Sequence, residues 1–101
     1  MFKIKATTFS EFLSELRSRD VEFSCFIVER VCDALDKGLP RTTFPIQSYF
    51  AINMNCAEPH YLLALQNNMQ SLIDCEEYEL CARSQKWIDK LIEEQSQENL
   101  A

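Results

Sequence analysis

Apolar residues recur every three or four positions through much of the C-terminal half of the chain. This spacing places them on one face of a helix. The first series is Leu62, Leu65, Met69 and Leu72, and the second is Tyr78, Cys81, Ile88 and Ile92 with Gln85 at the intervening position. The pattern stops at Asp74–Glu77, where polar or small residues follow one another. We therefore predict an antiparallel helical hairpin over residues 58–94 with a tight turn at Asp74–Glu77.

Two further helices are predicted within residues 8–38. The first begins at Thr8, because Thr8 and Glu11 have the spacing of a capping box, in which Glu11 would return a bond to Thr8. The second begins near Asp20 and carries a wide apolar face. It ends at Gly38, the only glycine in the chain, because a helix C-cap favours a residue that accepts positive φ.

The remaining segments give weaker patterns. Residues 2–6 alternate between apolar and charged side chains, as a short strand does, and residues 39–57 are predicted to be a loop. Within that loop, residues 46–54 fit a short helix with Pro45 in its first turn, which we favour. They also fit a strand that would pair with residues 2–6. The tail, 95–101, is polar and is predicted to fray.

These patterns predict one small, mostly α domain over residues 1–101. It has four or five helices and, in the alternative for residues 46–54, a two-stranded ribbon formed with residues 2–6. A hydrophobic fraction of 47% is too high for a disordered chain. No apolar run reaches the roughly 18–20 residues of a membrane span, and the N-terminus lacks the apolar core of a signal peptide. We predict a cytoplasmic protein without membrane contact.

Charge and cysteine usage limit the chemistry that this chain can perform. The net charge is −6, so phosphate backbones should repel the protein and direct nucleic-acid binding is not predicted. The five cysteines are an odd number and lack the close spacing of a zinc site, so we predict reduced thiols and no metal or other cofactor. Cys56 and His60 are the one pair that could support a thiol enzyme, but no glycine-rich oxyanion loop accompanies them. We predict that the protein is not an enzyme.

One set of residues in the hairpin has a family-specific spacing. Met69 is followed by Leu72-Ile73, then Tyr78-Glu79, Cys81-Ala82, Ile88 and Leu91. Over residues 65–91 this order resembles the UVR motif, the helical hairpin at the C-terminus of the excision-repair helicase UvrB, also found in the nuclease UvrC. The chain departs from that motif at residues 84–86, Ser-Gln-Lys, where the family has Leu-Arg-Asp. The resemblance implies a hairpin that docks onto another protein, without catalysis.

Five residues of the hairpin are candidates for partner binding: Tyr61, Glu76, Glu77, Glu79 and Trp87. The glutamates either complement a helix N-terminus or offer charge to a basic partner. Trp87 falls outside the predicted apolar face, so it either packs beneath the N-terminal helices or is an exposed binding residue. Tyr61 raises the same question.

The function that we predict is a non-enzymatic interaction module, an adaptor or inhibitor that binds a larger protein through the hairpin and its acidic surface. The alternative is an acidic mimic of nucleic acid that inhibits a nucleic-acid enzyme, as phage anti-restriction and anti-CRISPR proteins do. A homodimer formed through the apolar faces is also open.

Overall fold

The computed structural model describes residues 2–50 and 54–100, and it confirms a small, mostly α domain. The helices are α1 (Phe9–Ser18), α2 (Asp20–Lys37), α3 (Tyr61–Asp74) and α4 (Tyr78–Leu100), and a 3-10 turn, Glu58–His60, precedes α3. The strands are β1 (Phe2–Lys3), β2 (Arg41–Thr43), β3 (Ile46–Gln47) and β4 (Asn55–Ala57). No helix among these residues has both the length and the hydropathy needed to cross a membrane.

The ends of the N-terminal helices follow the local sequence closely. The Thr8 hydroxyl accepts a hydrogen bond from the Glu11 amide at 3.2 Å, which caps α1 as predicted. The Glu11 carboxylate, however, accepts from the amide and hydroxyl of Thr7 and not from Thr8. Gly38 ends α2 with φ 66°, the left-handed conformation that its position predicted.

The helix that we favoured for residues 46–54 is wrong, and the strand alternative is correct at Ile46–Gln47. Here β3 pairs in parallel with β1, with Phe2 opposite Ile46. The Phe2 amide donates to the Pro45 carbonyl at 3.1 Å, and the Ile4 amide donates to Gln47 at 2.9 Å. Burial of Phe2 and Ile4 under α2 and α1 accompanies this pairing, which a local pattern cannot reveal. Residues 51–53 of the predicted segment lie outside the described residues.

A second strand pair lies inside the segment that we predicted to be a loop. β2 and β4 pair antiparallel, with Thr42 opposite Cys56. The pair is extended at both ends, because Phe44 donates to the Met54 carbonyl and Glu58 donates to the Pro40 carbonyl. These strands connect α2 to α3 and place Phe44 in the main apolar core.

The helical hairpin is confirmed, with α3 ending at Asp74 and α4 beginning at Tyr78. The apolar face of α3 is as predicted, since Leu65 and Leu72 are fully buried. The face of α4 was assigned to the wrong residues at its start: Tyr78 is 65% exposed, whereas Leu80 and Ser84 are buried. The polar tail that we predicted to fray is helical through residue 100, because α4 ends at Leu100. Ala101 lies outside the described residues.

The side chains form two apolar clusters on either side of α2. The larger joins α2, α3 and α4, and the smaller joins β1, α1 and the first turns of α2. Phe26 packs against both clusters, so α2 is the central element of the domain, as its wide apolar face suggested.

Candidate functional site

An acidic cleft runs between α2 and α4, and five of its six lining residues are charged. Glu29 and Asp33 line it from α2, and Glu77 and Glu79 line it from the hairpin turn and the first turn of α4. The cleft has a volume of about 340 Å³, and Leu80, which is 9% exposed, contributes its apolar surface. Four carboxylates therefore converge on a groove that a single side chain or a short segment can enter.

Arg83 lies at one side of the cleft and neutralises only part of this charge. Its guanidinium donates to Asp33 at 2.7 Å and to Asp36 at 2.5 Å, so it ties α4 to two residues of α2. The salt bridges of the described residues join Arg83 to these two aspartates and Arg19 to two other acids; none of them involves Glu29, Glu77 or Glu79. Three carboxylates of the cleft are therefore left to water or to a partner.

Asp36 is held by two donors from α4. Trp87 donates its indole N–H to Asp36 at 2.9 Å, beside the bond from Arg83. These two hydrogen bonds lower the pKa of Asp36 below its ordinary 3.8, and the bonds to Asp33 and Asp36 raise the pKa of Arg83. Asp36 and Arg83 are both charged at neutral pH. The hydrogen bonds from Arg83 and Trp87 to Asp36 therefore link α4 to α2.

The hairpin turn has the backbone geometry of a Schellman C-cap. Glu76 donates its amide to the Ile73 carbonyl at 3.1 Å, and Glu77 donates to Leu72 at 3.0 Å. Glu76 occupies the left-handed position, with φ 60°, where glycine is usual. The turn therefore presents two consecutive carboxylates at the end of the hairpin, one of them on strained backbone.

The five residues predicted for partner binding do not form one surface. Glu77 and Glu79 reach the acidic cleft, and Glu76 is exposed at the turn but does not line the cleft. Trp87 is half-buried against the main core and lines a separate 270 Å³ pocket, where the Lys90 ammonium lies 4.8 Å from its ring centroid. Tyr61 is only 1% exposed.

Tyr61 is a core residue, so it is not available for partner binding. Its hydroxyl donates to the Leu39 carbonyl at 3.0 Å, so the ring fills the core while its polar atom is satisfied. The exposed aromatic residue of the hairpin is Tyr78, which stands between Glu77 and Glu79 in sequence, and Ile73 on α3 is 47% exposed. Exposed apolar surface thus accompanies the carboxylates at the turn.

The α2 half of the cleft was missed by sequence reasoning, because Glu29 and Asp33 were not among the candidate residues. The spacing of charges gave no indication of it. Arg30 stands three positions before Asp33 and Lys37 stands four positions after it, so α2 itself offers cations to Asp33. In the structure Asp33 pairs with Arg83 of α4.

Among the described residues, no hydrogen bond joins Cys56 to His60. The Cys56 thiol is half-buried and donates to the neighbouring Ala57 carbonyl at 3.7 Å, and His60 is exposed in the 3-10 turn. Burial raises the pKa of Cys56, which disfavours the thiolate that nucleophilic attack requires. Within residues 2–50 and 54–100, no group of three or more potential ligand side chains could hold a metal ion.

No protein-family model, curated protein or solved structure matches this chain. The resemblance of residues 65–91 to the UVR hairpin therefore stays a prediction based on those residues alone.

Proposed function

We propose that this protein is a non-enzymatic docking module that binds a basic segment of a larger protein in the acidic cleft. The observation that carries the proposal is the convergence of Glu29 and Asp33 with Glu77 and Glu79 on one groove, beside apolar Leu80. Bringing like charges together costs free energy in the unbound protein. A partner that supplies lysine or arginine side chains would relieve that repulsion.

The hairpin turn extends this surface with apolar contacts. Tyr78 is 65% exposed, and exposed tyrosines are frequent among the residues that dominate binding energy. A suitable partner segment would therefore place basic side chains in the cleft and an apolar side chain against Tyr78. The charges would favour encounter and orientation, and the apolar contact would slow dissociation.

The cleft geometry favours docking over imitation of nucleic acid. A mimic must display carboxylates outwards, in rows that enter a basic groove on the enzyme. Here the carboxylates of α2 and of the hairpin line a concave groove, and Asp33 and Asp36 are engaged by Arg83. The groove accommodates a partner's side chains better than it could fill a partner's groove.

The charge contribution can be tested with two triple variants of equal net charge. The cleft variant carries Glu29→Gln, Glu77→Gln and Glu79→Gln. The control carries Glu58→Gln, Glu93→Gln and Glu94→Gln, which are exposed and lie outside the cleft. Affinity for a fluorescent peptide of alternating lysine and leucine is measured by anisotropy at low and high salt. We expect the cleft variant to bind at least roughly tenfold more weakly than the control; equal weakening in both would show that only net charge matters and would refute docking in the cleft.

The apolar contribution can be tested with a matched pair of exposed tyrosines. Tyr78→Ala should weaken binding while circular dichroism and thermal stability stay unchanged. Tyr49→Ala is the control, because Tyr49 is 79% exposed and belongs to the segment after β3. Equal affinity of Tyr78→Ala and the wild type would remove the turn from the binding surface.

A pull-down at two salt concentrations tests the nucleic-acid mimic. A nucleic-acid enzyme that binds the wild type and the cleft variant equally, and that high salt releases, would favour the mimic over docking in the cleft.

Our prediction of Trp87 as a binding residue is modified by its contacts. Trp87→Ala would remove packing against the core as well as the bond to Asp36, so loss of binding could follow from loss of structure. Trp87→Phe keeps most of the packing and removes the donor. We expect this variant to bind the peptide as the wild type does, because Trp87 lies outside the acidic cleft.

A further inference from the structure

Two cysteines that are distant in sequence lie in contact in the fold. Cys25 is on the second turn of α2, and Cys75 is the residue that follows the last turn of α3. Their sulfur atoms are 3.9 Å apart, and both side chains are half-buried. The other three cysteines differ: Cys32 is fully buried, and Cys56 lies in β4. Cys81, on α4, is the remaining half-buried thiol near Cys75.

The positions of the two thiols favour bond formation. A disulfide requires a sulfur separation of about 2.05 Å, so the two atoms must approach by roughly 1.9 Å. Rotation of one or both side chains can supply an approach of this size. The Cys75 amide donates to the Ser71 carbonyl at 3.1 Å at the end of α3, so the approach has to come from side-chain rotation and not from the backbone.

We propose that Cys25 and Cys75 are a reversible disulfide site, oxidised by small disulfides such as oxidised glutathione, that ties α2 to the hairpin turn. One thiolate attacks a sulfur of the small disulfide, forms a mixed disulfide and releases one small thiolate. The second cysteine, as its thiolate, attacks the protein sulfur of the mixed disulfide and releases the other small thiolate. The two protein thiols lose two electrons and two protons, and the small disulfide becomes two thiols.

The surroundings of the pair oppose ionisation of Cys25. Burial raises the pKa of Cys25 to about 12, with further contributions from the hydrogen bond to Cys75 and from nearby charges. The thiolate of Cys25, which the exchange requires, is therefore scarce at neutral pH.

The disulfide would also change how the acidic cleft binds a partner. This consequence rests on the proposed function, whereas formation of the disulfide does not. Cys25 is one helical turn before Glu29, and Cys75 is two residues before Glu77. These two glutamates line the cleft from α2 and from the hairpin. A covalent link between α2 and the turn would fix the separation of the two sides, so oxidation should change affinity for a basic segment.

The bond can be located by mass spectrometry of the full chain. The protein is equilibrated with mixtures of reduced and oxidised glutathione, quenched with acid, alkylated, and cut before aspartate and after glutamate. Cleavage after Glu22 and Glu29 releases residues 23–29, and cleavage before Asp74 and after Glu76 releases residues 74–76, so each peptide contains one cysteine. We expect these two peptides linked, with a mass lower by two hydrogens. A link from Cys75 to Cys81, or unlinked thiols in the most oxidising mixture, would overturn the proposal.

Variants and stability give independent tests. Cys25→Ser and Cys75→Ser should each abolish the linked peptide, whereas Cys56→Ser and Cys81→Ser should keep it. Because the bond closes a loop of about 50 residues, oxidation of the wild type should raise its thermal midpoint by roughly 10 °C or more. An unchanged or lowered midpoint in the linked protein would contradict a bond that fits the native fold. If the lysine-leucine peptide binds neither form, the docking function fails while the mapped disulfide stands.

Discussion

The chain contains two helix C-caps of the same type with different residues at the left-handed position. After α2, Gly38 donates to Leu35 at 3.2 Å and Leu39 donates to Ala34 at 2.9 Å. After α3, Glu76 and Glu77 make the equivalent two bonds. The φ angles are 66° at Gly38 and 60° at Glu76. Substitutions to and from glycine at these two positions therefore measure, within one protein, the free energy that a residue with a side chain loses in the left-handed conformation.

We expect Glu76→Gly to stabilise the protein. The left-handed conformation costs a residue with a Cβ about 1–2 kcal/mol, and glycine removes this cost. Glycine also increases the entropy of the unfolded chain, which offsets about 0.4–1 kcal/mol. The net gain in the free energy of unfolding should be about 0.5–1 kcal/mol, measured as a higher midpoint in urea with an unchanged slope.

Gly38→Ala is the reciprocal variant and should destabilise the protein by about 1 kcal/mol. An added Cβ at Gly38 would have no atom within 4 Å, so a steric clash cannot contribute and the cost is conformational. Glu76→Gln separates charge from conformation, because it removes the carboxylate and keeps the strained backbone. Equal stabilisation by Gln and Gly at position 76, or no loss in Gly38→Ala, would refute the conformational explanation.

Three further predictions concern stability. Leu72→Ala, at a fully buried position, should lower the free energy of unfolding in urea by about 2–5 kcal/mol, whereas Leu63→Ala, which is 56% exposed, should change it by less than about 0.5 kcal/mol. The pKa of Asp36 is lowered in the folded protein, so its carboxylate contributes to the free energy of unfolding above its ordinary pKa of 3.8, and this contribution is lost as the pH falls through the lower native pKa. Asp36→Asn should therefore make the thermal midpoint fall less steeply as the pH is lowered through this range. Cys25 has a raised pKa, so stability present below pH 9.0 should be lost as the pH rises towards about 12, and Cys25→Ala should reduce that loss in alkaline denaturation followed by circular dichroism.

Local patterns predicted the parts of this fold that depend on neighbouring residues. Gly38 and Thr8 mark helix ends because capping involves residues only three or four positions apart. The paired strands were harder, because β1 finds its partner more than forty residues away. The segment after Pro45 fits both helix and strand locally, and burial of Phe2 against α2, together with the backbone pairing, separates the two.

The candidate site, like the fold, could be predicted from the sequence only in part. The turn glutamates could be recognised from sequence, but the cleft requires α2 and α4 to pack at a particular rotation. The apolar pattern placed Tyr78 on the inner face of α4, whereas Leu80 and Ser84 occupy it. Tyr78 is a large aromatic residue and Ser84 is a small polar one, so a rule based on hydrophobicity chooses the wrong face. Contact with α2 and α3 decides the rotation, and spacing within α4 does not contain that information.

The division of the apolar side chains into two clusters has a consequence for folding cooperativity. The smaller cluster depends on β1, which is held to β3 by a two-residue pairing, and on α1. The larger cluster, which contains Leu65 and Leu72, includes no residue of either element among the described residues. We therefore expect amide protons of α1 to exchange with solvent through partial opening and those of α3 to require global unfolding. The N-terminal segment and the three-helix core would then behave as separate cooperative units that meet at Phe26.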